Sequence, residues 1–200
     1  MKKVPTIHIT HSRLLQPIFT EYWRVRKSDA AWQPLSDEEI TNRVAFFKER
    51  WQSVERHVLE ELCNILSLHF SENTISAYVV SGYKGGFSDP LVISAHVPDE
   101  MILNLLIHEL IHRLLAYNTK DIPINTILEK MFSHVENKKV RLHVIIHAAL
   151  QYIFLDTLKN ETLLQTDLGA CKDRIVYKEA WDIVLEKGYL NLLEEFKTHY

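Results

Sequence analysis

Between Ile102 and Leu115 the chain reads Ile-Leu-Asn-Leu-Leu-Ile-His-Glu-Leu-Ile-His-Arg-Leu-Leu. A helix of this composition is apolar on nearly every face and must be buried, so the rest of the fold has to wrap around it. Yet His108, Glu109 and His112 sit at its centre. An ionised carboxylate buried without partners costs several kcal/mol or neutralises, so two imidazoles and a carboxylate in a core call for a metal ion or a dense polar network. Residues four apart on a helix lie one above the other. His108 and His112 can therefore offer nitrogens to one ion, with Glu109 directed at its open side.

The pattern H-E-x-x-H at 108–112 resembles the active-site helix of the zincin metallopeptidases. The resemblance is confined to this helix. It implies that His108 and His112 ligate Zn2+ and that Glu109 is the general base acting on a metal-activated water. Arg113 departs from the family, which usually has an uncharged residue after the second His. The metzincin extension is absent, since Leu115 and Asn118 stand where that subgroup has Gly and His.

A catalytic zinc needs a third protein ligand, best supplied by a second buried element. The segment from Val140 to Leu158 is again apolar on nearly every face and repeats the four-residue spacing with His143 and His147. His143 is the first candidate, with His147 as the alternative ligand or as a residue held behind the ligands. Glu136 comes third, at about the distance that the thermolysin-like enzymes use. Val140 stands where those enzymes have an Asp. Tyr152 and Tyr177 are possible oxyanion donors that nothing in the sequence places.

With 200 residues, 46% of them hydrophobic, a single zincin-like domain spanning 1–200 is expected, with a core large enough to need no staples. A net charge of -3 and scattered basic residues argue against nucleic acid as a ligand. Cys63 and Cys171 fit no C-x-x-C pattern, so free buried thiols and a cytoplasmic setting are expected. Met1 to His8 has the charge of a signal peptide without the apolar stretch that should follow, and the apolar run Val144 to Leu155 is too short to span a membrane.

The expected fold is α+β and mainly helical, a minimal zincin-like domain with a small β-sheet or hairpin before the H-E-x-x-H helix. Residues 1–35 form an N-terminal segment with a short helix from Thr10 to Val25, a loop at Lys27-Ser28-Asp29, and Trp23 and Trp32 as packing anchors. Ser36 and Glu39 make a capping box. An unbroken apolar stripe then predicts one long scaffold helix over 36–70, on or near which His57 and His69 are ordinary histidines. The small sheet occupies 74–96, with Leu91 to His96 as the edge that would pair with an extended peptide. The central helix follows at 98–118, another near 124–134, the third-ligand helix at 138–158, and C-terminal helices over 172–200.

These features predict a zinc-dependent hydrolase acting on the amide bond of a peptide or protein substrate. Two other classes remain open. One is a non-catalytic protein whose four histidines close a structural zinc site between two helices. The other is a helical dinuclear carboxylate protein, because Glu109 to His112 also reads as E-x-x-H, although the second helix has no matching motif.

Overall fold

The computed structural model describes residues 4–26, 33–82 and 85–200, apart from the side chains of Trp23, Arg24 and Arg26. The expected loop at 27–29 and the packing roles of Trp23 and Trp32 lie outside what is described. The chain is mainly helical with a small mixed sheet before the H-E-x-x-H helix, the α+β class expected from sequence. Its described residues divide into two compact units.

The first unit comprises Pro5–Glu55 and Glu72–Leu110. It contains β1 (Thr6–His11), α1 (Leu15–Arg26), α2 (Asp37–Gln52), β2 (Thr74–Val80), β3 (Gly86–Ser88), β4 (Leu91–Ser94), a 3-10 turn at Asp99–Met101 and the start of α4 (Ile102–Asn118). The strand order is β1-β2-β4-β3, with β1 and β4 parallel to β2 and β3 antiparallel to β4. β1 overturns part of the reading of residues 1–35. Thr-Ile-His-Ile-Thr-His has a period of two, burying Ile7 and Ile9 while Thr6 and His8 face out, and the following helix starts only at Leu15.

The sheet corrects a second expectation. β4 lies between β2 and β3, so all four of its residues, Leu91 to Ser94, are buried, and the edge strand on that side is β3. The four consecutive buried side chains are what a strand covered on both faces requires. The expectation placed the edge one strand too late because the Gly-rich segment before it reads as loop.

Ser36 caps α2 as expected, its hydroxyl accepting from the Glu39 amide while the Glu39 carboxylate accepts from the Ser36 amide. The long helix over 36–70 does not hold. α2 stops at Gln52, where the Ser53 hydroxyl bonds the Arg50 carbonyl and the Val54 amide bonds the Trp51 carbonyl, and α3 (Glu55–Ile65) starts afresh. A serine hydroxyl that competes for backbone carbonyls can end a helix without Gly or Pro. The apolar stripe survives the break, since Trp51 before it and Val58, Leu59 and Leu62 after it are all buried.

The second unit holds Arg56–Ser71 and Ile111–Tyr200, with Val4. Besides α3 and the end of α4 it contains α5 (Ile124–Met131), α6 (Lys138–Tyr152), a π turn at Ile153–Thr157, α7 (Glu161–Cys171), α8 (Ile175–Lys187) and α9 (Tyr189–Lys197). α6 is its axis, packed against α5, α8 and α9. Residues 143–150 of α6 are buried without interruption, which explains why its sequence shows almost no polar face. α8 ends at Gly188, whose φ of 81° lies in the left-handed region open to glycine. α7 was not expected; Asn160 starts it by accepting from the Leu163 amide. Among the described residues no helix is long and apolar enough to cross a membrane.

Candidate metal centre

His112 on α4 and His143 on α6 belong to the second unit, and their ring centroids lie 5.0 Å apart, edge to face. The boundary between the units falls inside α4, between Leu110 and Ile111, where the helix is unbroken. His108, one turn earlier, is therefore held to His112 by the helix itself. His112 and His143, both of the second unit, can each offer a ring nitrogen to one ion, and His108 stands one turn from His112 on α4. His108 and His143 are buried and His112 is half-buried.

His112 and His143 carry the marks of ligating rings. The Nδ1 of His143 donates to the Lys139 carbonyl at 2.7 Å, one turn back on α6, which leaves Nε2 as the lone-pair nitrogen. A hydrogen bond from the far ring nitrogen is how ligating imidazoles are usually oriented. Burial, and then the neighbouring His143, push the pKa of His112 down to about 4. Burial also lowers His143, helped by the charges of Arg174 and Lys139 and opposed by the Lys139 carbonyl. Neutral imidazoles are the form that binds metal. Imidazoles from two core helices, His108 and His112 of α4 and His143 of α6, fit Zn2+ as a donor set.

The other candidates separate clearly. Glu136 is exposed and is not among these donors. His147 is fully buried, its ring stacked on Trp181 at 4.5 Å, and its nitrogens group with Asp167 and Cys171 instead. The ring of Tyr177 lies 4.5 Å from that of His143, whereas the Tyr152 hydroxyl donates to Glu61 at 3.2 Å. Arg113, the departure from the zincin pattern, is buried and donates to the Tyr117 hydroxyl at 2.9 Å.

Glu109 is 8% exposed, and its neighbour across the first unit is Gly86 of the edge strand β3. A Cβ added at Gly86 would stand 2.5 Å from Glu109 Cγ and 2.7 Å from its Oε1. Any side chain at Gly86 would force this carboxylate to move. The sequence offered no signal for Gly86 beyond its place in a Gly-rich stretch. Asp167 and Cys171, four apart on one helix, could have been found by their spacing. Comparison of the chain with family models, with curated proteins and with solved structures finds no match.

Proposed function

We propose that the chain is a zinc-dependent hydrolase, a metallopeptidase that cleaves an amide bond in a peptide or protein. The observation that carries this reading is the approach of His143 to His112, one turn from His108 and beside Glu109 on the same helix. His108, His112 and His143 would hold the ion. When bound, Zn2+ supplies Lewis acidity, polarising the scissile carbonyl and bringing the pKa of a water to near seven.

Glu109 then works as a proton carrier. It takes a proton from the attacking water as the water oxygen bonds the carbonyl carbon, and delivers it to the nitrogen as the C–N bond breaks. Gly86 leaves room for that carboxylate. The outer side of β3 offers backbone groups to an extended substrate. A closed four-histidine site would need a His147 nitrogen on the same ion; its ring lies 5.8 Å from that of His143, but its nitrogens group with Asp167 and Cys171, which supports an open position. The cytoplasmic setting belongs to the same proposal, on two buried cysteines, Cys63 and Cys171, that form no disulfide.

The test is peptide hydrolysis by the zinc-loaded chain beside Glu109→Gln, with zinc measured in both. The reading expects bound zinc in both and a loss of at least about 100-fold in turnover with Gln. Equal turnover, or no uptake of zinc by either protein, overturns it.

A further inference from the structure

The second unit buries a trio of donors that this hydrolytic site does not use. His147 comes from α6, and Asp167 and Cys171 come from α7, one turn apart. They are 0%, 5% and 5% exposed. The Cys171 Sγ lies 3.6 Å from Asp167 Oδ2, and one ligand atom from each of the three can be chosen so that all lie within 4.8 Å of one another. Trp181 of α8 braces two of them. Its Nε1 donates to Asp167 Oδ2 at 2.9 Å while its ring stacks on His147 at an interplanar angle of 16°.

We propose that His147, Asp167 and Cys171 form a second cation site, with donors distinct from His108, His112 and His143, for a divalent ion of the Zn2+, Co2+ or Cd2+ class. The sulfur donor selects against Mg2+ and Ca2+, which prefer oxygen. Imidazole, carboxylate and thiolate together carry two negative charges, which a divalent ion neutralises inside a core that could not otherwise hold them. Three protein donors leave one tetrahedral position for water. The indole hydrogen bond to Asp167 is the orienting contact expected behind a ligating carboxylate.

Binding requires the thiol to ionise. Burial, and then the Asp167 carboxylate, push the Cys171 pKa up to about 12. The incoming ion takes the place of the thiol proton, which leaves to solvent, so no oxidant or reductant takes part. Protein loaded near neutral pH should release one proton per ion from this residue.

Cobalt separates the two sites, because a thiolate ligand gives Co2+ a near-ultraviolet charge-transfer band that an all-imidazole site lacks. Chelator-stripped full-length protein is titrated with Co2+ alone, beside His112→Ala, Cys171→Ser and Cys63→Ser. The expected result is a thiolate band that saturates by two equivalents in the wild type and in Cys63→Ser, by one equivalent in His112→Ala, and is absent in Cys171→Ser. Should Cys171→Ser fail to fold, Asp167→Asn, which keeps an oxygen for the Trp181 N–H, is expected to weaken binding at least about tenfold. A wild-type protein that shows no thiolate band, or a band that survives Cys171→Ser, overturns the proposal and leaves the trio a hydrogen-bonded core.

Discussion

Gly86 and Glu109 meet so closely that a single added carbon on the glycine would overlap the carboxylate side chain, 2.5 Å from its Cγ. Gly86 is not among the glycines with positive φ, so alanine meets no backbone penalty there. The three atoms nearest to an added Cβ all belong to Glu109, so Gly86→Ala acts first on that side chain. The expected outcome is a folded protein with zinc content unchanged and peptide turnover at least about tenfold lower, as the carboxylate swings out of line. Circular dichroism, metal analysis and turnover measured together check this; wild-type turnover would show that Gly86 does not set the position of Glu109.

His143 and Glu136 were rival third ligands, and their surroundings now distinguish them. His143→Ala is expected to weaken zinc at the His108 and His112 site by more than about 100-fold, since a ligand matters at least as much as the contacts that orient it. Glu136→Ala, at an exposed position, is expected to change nothing. Competition against a chromophoric chelator reads both. Equal affinity in wild type and His143→Ala would remove His143 from the site.

Acid should destabilise the metal-free protein. The folded pKa of His112 is depressed from 6.5 to about 4, so between those values the unfolded chain binds more protons than the folded one. Stability is therefore full above pH 6.5 and is lost as pH falls toward 4. At about 1.4 kcal/mol per unit, His112 alone accounts for roughly 3 kcal/mol. His143 and His147 are lowered too and act in the same direction. Urea unfolding of chelated protein at pH 7 and at pH 5 checks this, with a lower midpoint expected at pH 5; equal midpoints would contradict the burial of these rings.

The capping box offers a test of the fold away from the metal. Ser36→Ala removes the acceptor for the Glu39 amide and is expected to cost about 1 kcal/mol. Thermal unfolding measures it, and the zinc content should not change.

What was legible in the sequence follows the strength of local pattern. The helices carrying His108, His112 and His143 were plain because an all-apolar helix with histidines four apart has few other uses. The Ser36 box was equally plain, since it needs only residues three apart. β1 was hidden because Thr10 and the residues after it also fit a helix, and strand pairing depends on a partner 68 residues away. The break at Ser53 was hidden because the apolar stripe crosses it in phase. Gly86 could not be found at all, for its role lies in what Glu109 would meet across the unit rather than in its neighbours along the chain.

The parallel pairing of β1 with β2 also sets an order of events in folding. Thr6 pairs with Thr74 and His11 with Val79, so β1 leaves the ribosome with no β2 partner until more than sixty further residues have followed it. Pairings so distant along the chain are slow, because loop closure must come before the contacts that reward it. β2, β3 and β4 lie within Thr74–Ser94 and can pair locally. The sheet should thus grow outward from β4, and β1 should be the last strand to gain protection from hydrogen exchange during refolding.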